Sequence, residues 1–341
     1  MKINKYILGT VLACGLALPF TSCDDNDLNP NSIFDLEEGA LDPNSPTYQL
    51  DKYCDDVFRT KYNLQIMYKL EDVAADMNYN LVPAEYDKSV DLAVLSDYLW
   101  FQVYDKVVTS DKNFMKKYSP RLLHFIGCPA VNAANQTITL GLAEGGLKVT
   151  LFNLNEMDPT DVYQLTDRYF HTMHHEFAHV LHQTKTYPKV FDQLSVGHYD
   201  ALGWQYRDTR VTATLGFVTP YASGQPREDF AETIACYICY TDETWNQLLE
   251  YATQAWIETT DANGKTVIKI DPRGDQDGVD GKAMILQKVD IARTWFRDAW
   301  GIDLDALREE VQTRQTTYNE AKLNELRKLV YDIPVGADAQ K

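Results

Sequence analysis

Three textures follow one another along the chain. Residues 6–20 form an almost unbroken apolar run behind Lys2 and Lys5. Residues 24–45 are rich in Asp, Asn and Pro and show no period. From residue 47 onward, apolar and polar positions recur with the periods of secondary structure. Residues 47–62 have helical spacing (Leu50, Tyr53, Val57), 64–70 read as a strand, and 87–107 as a long amphipathic helix. Strand-like runs follow at 122–126, 137–141 and 148–153, with Gly145-Gly146 as the turn before the last. Asp158-Pro159-Thr160-Asp161 offers a cap, a first-turn proline and an acid beside the positive helix end, so a helix should run to about residue 183. After a loop-rich excursion at 187–225, the pattern is helical over 230–240, 282–300 and 303–329, with a small hairpin at Asn263-Gly264. A sheet, then one helix, then mostly helices is an α+β layout, read as one domain over 47–335 whose sheet-containing half ends near 183.

Composition narrows the function classes. The 341 residues are 45% hydrophobic and 24% charged, enough for a sizeable core and unlike disordered, collagenous or coiled-coil chains. A net charge of −18 repels phosphate backbones, which argues against nucleic-acid partners and against docking on anionic lipid through a basic face. No run after the first reaches the length of a membrane-spanning helix.

The opening run, with its basic head and the small residues Thr21 and Ser22, has the make-up of a secretory signal over 1–22. Phe20-Thr21-Ser22-Cys23 resembles a bacterial lipobox, which implies a lipidated Cys23 as first mature residue and a membrane anchor. Asp24-Asp25-Asn26-Asp27 resembles the export tag of Gram-negative surface lipoproteins, so an outer-membrane, surface-exposed location is expected. Residues 23–46 would be the tether. Of the remaining cysteines, Cys54, Cys128, Cys236 and Cys239 could pair in an oxidising compartment. Cys236 and Cys239 lie in an apolar helical run with no second CxxC, and read as buried free thiols. Asp275, Asp277 and Asp280 resemble a calcium loop but lack EF-hand spacing and are read as a polar turn.

Chemistry concentrates in one helix. Five of the seven histidines fall between His171 and His182, and within them stands His175-Glu176-Phe177-Ala178-His179, an HExxH pattern. Imidazoles four residues apart share a helix face one turn apart, so His175 and His179 can hold one ion. Zn²⁺ suits nitrogen and oxygen donors and keeps a position open for water, whose pKa falls near 7, and Glu176 can then act as general base. Chance gives the triplet in fewer than about 1% of such chains. A third ligand is required. Lys185 stands where a metzincin would carry its next histidine. His182 is roughly 10 Å along the axis from His175, too far to share the ion, and is expected to support the ligands from behind. Downstream, Glu228 and Glu232 share a helix face among apolar residues, in Glu228-Asp229-Phe230-Ala231-Glu232. Glu228 is assigned to the metal and Glu232 to holding a ligand imidazole. Tyr221, seven residues before Glu228, could stabilise an oxyanion or protonate a leaving amine.

HEFAH, then Tyr221, then EDFAE seven residues on resembles the gluzincin metallopeptidases, especially the lethal-factor-like group. That resemblance implies a zincin-like fold with a small, mostly antiparallel sheet, His175, His179 and Glu228 as ligands to one zinc, Glu176 as base and Tyr221 as transition-state helper. Over most of 47–329 the chain is also similar to substrate-import-associated zinc metallohydrolase lipoproteins, through the lipobox, Tyr62-Asn63-Leu64, the HHEFAHVLHQ helix and PREDFAE. This implies a lipid-anchored metallopeptidase acting on peptide or protein beside an outer-membrane nutrient importer. Substrate would lie in a cleft beneath an edge strand, with 148–153 the candidate. The competing reading is an accessory lipoprotein that binds without turnover.

Overall fold

The computed structural model describes residues 41–70, 79–131, 138–139, 141–144, 147–274 and 278–340. The signal, Cys23, most of the tether, the Gly145-Gly146 turn, and Asp275 and Asp277 lie outside the described residues.

The body begins with helix α1 (48–61) and strand β1 (Gln65–Met67), followed by the long helix α2 (86–107) and the short α3 (Phe114–Tyr118). Strands β2 (Leu122–Phe125), β3 (Ala130–Val131), β4 (Ile138–Thr139), β5 (Gly141–Glu144) and β6 (Lys148–Leu151) come next. Helix α4 (162–184) carries the histidines, and α5 (Val190–Leu194) and α6 (Thr209–Thr214) interrupt the long connection after it. Then follow α7 (Pro226–Cys239), α8 (Asp242–Tyr251), the hairpin β7 (Trp256–Thr260) and β8 (Thr266–Ile270), α9 (281–300), α10 (Leu304–Thr317) and α11 (Glu320–Tyr331). This is the expected α+β layout. Among the described residues no helix is long and apolar enough to cross a membrane.

Polar punctuation sets the helix starts. Asp161 caps α4 by accepting from the backbone N–H of Tyr163 and Gln164, each at 3.0 Å. Asp208, Thr241, Asp280, Asp303 and Asn319 cap later helices in the same way. Asn319 explains one difference from the expected pattern. Residues 303–329 read as one helix, but the backbone turns extended at Tyr318 and Asn319, and the Asn319 side chain caps a new helix through Lys322 N–H. Tyr318 is buried there and its hydroxyl donates to the Pro159 carbonyl.

The main sheet has the order β1-β2-β6-β5. β1 runs parallel to β2, with the helices α2 and α3 between them in the chain, and β2 runs parallel to β6, with β3, β4 and β5 between them; β5 is antiparallel to β6. The pairs β3–β4 and β7–β8 are antiparallel, so antiparallel pairing predominates overall while the main sheet itself is mixed. The expected edge strand at 148–153 is not an edge. β6 lies between β2 and β5, and β5 folds back on it to take the outer position.

Helix α7 is buried at every position from Asp229 to Cys239, as expected of a helix wrapped on all sides. α4, α9 and α10 pack around it. Cys54, Cys236 and Cys239 are buried and, with Cys128, are free thiols. On α4, Phe177 is two residues from His175 and so faces nearly the opposite way. Its ring meets Tyr104 at 5.0 Å, Trp100 at 5.6 Å and Phe114 at 5.9 Å, fixing the rotation of α4 so that the histidines face α7.

Candidate metal centre

α4 and α7 lie against each other in antiparallel sense, as their contacts show. Glu228 meets His175 and His179, whereas Glu232, one turn later, meets His171 and His175, one turn earlier. Pro226 at the start of α7 suits a first-turn position, and Glu228 and Asp229 sit where the helix end is positive.

Three donor atoms converge. His175 Nε2 and His179 Nε2 are 3.0 Å apart, and each lies 3.1 Å from Glu228 Oε2. The other nitrogen of each ring is occupied from behind. His175 Nδ1 lies 2.7 Å from Glu232 Oε2, and His179 Nδ1 lies 2.8 Å from His182 Nε2. A carboxylate can only accept, so His175 carries a proton on Nδ1 toward Glu232, which leaves Nε2 as the nitrogen that can be given to a metal at the centre. His182 is buried, and burial, followed by the neighbouring His179, lowers its pKa to about 4; it is neutral, and its Nε2 shares a hydrogen bond with His179 Nδ1. Two imidazole nitrogens and a carboxylate oxygen therefore face one another within 3.1 Å. Positive charge at the centre, a proton or a cation, is what that arrangement requires. Tetrahedral zinc at its usual bond lengths sets its ligands about 3.3 Å apart, close to the spacing seen, so the donor set fits the ion.

The local pKa shifts have the same cause. Burial alone would push His175 down, but Glu228 and Glu232 on its two nitrogens override it and raise it to about 10. Burial likewise opposes charge on Glu228, yet His175 and His179 hold it well below the usual carboxylate range. Glu232 is also held low against its burial, by His171 and His175. Two anions around one imidazole demand positive charge, which a divalent cation supplies in place of a proton.

The supporting groups are tied in turn. Glu232 Oε1 accepts from Thr219 Oγ1 at 3.0 Å, and Thr219 Oγ1 accepts from Ala222 N–H at 3.1 Å. The loop carrying Tyr221 is thus tethered to the carboxylate that orients His175. The Tyr221 ring lies 5.7 Å from that of His175, with the Glu228 charge close enough to act on its hydroxyl. Burial, then Glu228, keeps the phenol protonated far above its ordinary range. Glu176 is half-buried within the field of His175, His179, Glu228 and Glu232, and desolvation raises its pKa. A raised carboxylate is a stronger proton acceptor.

His175, Glu176, His179, Tyr221, Glu228, Glu232 and His182 are therefore neighbours, while Cys23 lies outside the described residues. Sequence reasoning gave no supporting role to five further residues. His171 Nε2 lies 3.1 Å from Glu232, on the side away from the donor triangle. Thr219 holds Glu232, and Gln225 donates to Glu228 Oε1 at 3.1 Å. Lys288 and Asp229, both fully buried, pair at 2.7 Å directly behind Glu228. Lys288 did leave a signal: it occupies an apolar-face position of α9, three residues after Ile285 and beside Val289. Thr219 and Gln225 are ordinary loop residues and carry no signal.

Residues 44–305 match the protein family described as "Putative zinc-binding metallo-peptidase". A crystal structure from Bacteroides caccae with the same description is 35% identical, covers 88% of this chain and 99% of that chain, and superposes with a TM-score of 0.66. Among curated proteins nothing matches the chain significantly.

Proposed function

Because the chain belongs to this family of zinc-binding metallo-peptidases, with zinc as its cofactor, we propose that it hydrolyses peptide or amide bonds at the His175–His179–Glu228 centre, one zinc per chain. The observation that carries the reading is the triangle of donor atoms, His175 Nε2, His179 Nε2 and Glu228 Oε2, whose rings are held from behind by Glu232 and His182.

When bound, zinc would act there as a Lewis acid that lowers the pKa of water and polarises the scissile carbonyl. The protein's own groups do the rest. Glu176, with its raised pKa, takes the proton of the attacking water and can pass it to the leaving amine. Tyr221, held protonated beside Glu228, donates a hydrogen bond to the oxyanion as it forms. Glu232 keeps the His175 ring in one tautomer and one orientation. β5, an end strand of the main sheet among the described residues, takes the role expected of 148–153 and offers backbone groups to an extended substrate.

The test is Glu176→Gln, measured by metal analysis and digestion of a peptide library. Zinc should stay near one per chain while cleavage disappears. Cleavage at the native rate would refute the role of Glu176, and a native chain that binds zinc but cleaves nothing would leave only the accessory binding role. The lipobox-like segment supports the further proposal that Cys23 anchors the mature protein in the outer membrane, at the cell surface and beside a nutrient importer. Cys23→Ala should then move the protein from the membrane to the soluble fraction.

A further inference from the structure

Beside Tyr221 the long connection forms a turn that no step above uses. Asp200 Oδ1 accepts from the N–H of Leu202 at 3.3 Å and of Gly203 at 2.9 Å, and the Arg207 guanidinium lies 3.6 Å from Asp200 and donates to the His198 carbonyl. The turn is tied to the Tyr221 loop by Asp200 N–H donating to the Ser223 carbonyl at 2.8 Å. From this turn Trp204 meets Tyr221 edge to face at 4.8 Å. Gly224 makes room for it, since a Cβ there would lie 3.2 Å from Trp204 Cδ1. The rings of His175, Tyr221 and Trp204 thus form a continuous row leading out from the donor triangle.

The outer end of that row is left uncovered. Trp204 is half-exposed, Tyr221 is 38% exposed, and Leu202 and Tyr206 on the same turn are 86% and 78% exposed. Large apolar side chains gathered on a hydrogen-bonded turn call for an apolar partner. The only cation of the turn, Arg207, is engaged by Asp200, so little there favours an acidic ligand.

We infer that Trp204 is a specificity-determining residue: its ring is the wall of a subsite that receives a large apolar or aromatic side chain next to the scissile bond. This rests on the metal-centre reading above, since contiguity with that centre places the substrate. An aromatic wall discriminates by apolar area and ring contact and gives a small side chain nothing to touch, which is worth about tenfold in affinity.

The experiment titrates zinc-loaded protein with two hydroxamates, N-acetyl-phenylalanine hydroxamate and N-acetyl-glycine hydroxamate, and reads binding by calorimetry, independently of turnover. The native protein should prefer the phenylalanine compound about tenfold. Trp204→Ala should bring the ratio to about twofold or less, and Trp204→Phe should keep most of it. Gly224→Ala, which pushes on the ring without removing it, should also lower the ratio and carries the test should Trp204→Ala fail to fold. Equal affinities in the native protein, or a preference that survives both Trp204→Ala and Gly224→Ala, would overturn the proposal while leaving the metal centre standing. Failure of both hydroxamates to bind native, zinc-loaded protein would overturn both readings.

Discussion

Glu232 offers the sharpest test of how the centre is built, because it touches no metal in the proposed arrangement and still should govern metal affinity. One oxygen lies 2.7 Å from His175 Nδ1 and 3.1 Å from His171 Nε2; the other accepts from Thr219 at 3.0 Å. Glu232→Gln keeps the shape. Its amide carbonyl can still accept from His175, and its amide nitrogen can donate to the Thr219 oxygen. What is lost is the negative charge that makes the imidazole a better donor to the metal, and charge-assisted bonds are about twice as strong as neutral ones. Glu232→Ala removes both, leaving a buried N–H without a partner and the ring free to turn. Losses of this kind cost about 10- to 100-fold in metal affinity, so we expect about tenfold for Gln and about 100-fold for Ala. The second figure corresponds to about 2.8 kcal/mol. The assay is competition for zinc against a chelator of known affinity, on variants shown to be folded by their thermal transition. An Ala variant within about twofold of native affinity, or a Gln variant weaker than Ala, would refute the argument that the carboxylate acts through His175.

Other perturbations separate ligand from support and function from stability. Glu228→Ala should lower zinc affinity far more than His182→Ala, since the first removes a donor from the triangle and the second only a partner of His179 Nδ1; the same chelator titration decides, and the reverse order would overturn the choice of third ligand. Lys288→Met strands the Asp229 carboxylate in a fully buried site and should cost about 3–5 kcal/mol in urea unfolding, with much of it recovered by adding Asp229→Asn. A single-variant loss below about 1 kcal/mol would show that the pair is not structural. Burial opposes charge on Glu310, yet Lys106 and Arg314, the latter at 2.7 Å, hold its pKa below the usual value. The unfolded chain therefore takes up this proton first, so the stabilisation is full above about pH 4.3 and fades as pH falls through the folded value. Glu310→Gln should be destabilised by about 2 kcal/mol near neutrality, and the gap from native should shrink on acidification; a gap that widens would contradict the sign.

Much of the candidate site was legible because it is local. A helix repeats every 3.6 residues, so His175 and His179, or Glu228 and Glu232, share a face wherever the helix lies. The helix start at 158–161 was legible for the same reason, although Asp161 rather than Asp158 caps it. The single helix expected over 303–329 failed for the same local reason, since Asn319 is a capping residue inside an otherwise helical pattern.

The tertiary structure decided everything that depends on two segments meeting. Glu228 stands 53 residues from His175, and only the antiparallel packing of α4 on α7 brings their donor atoms to 3.1 Å. That packing also gave Glu232 a second histidine, His171, and a threonine from another loop. It set Trp204 against Tyr221, and it placed β5 rather than β6 at the sheet edge. Periodicity specifies which side of an element is apolar, but the register and angle at which two such sides meet are set by the shapes of the side chains between them. The rotation of α4 is held by Phe177 against Trp100, Tyr104 and Phe114, rings drawn from two other helices, so the direction in which its histidines point is a property of the whole core.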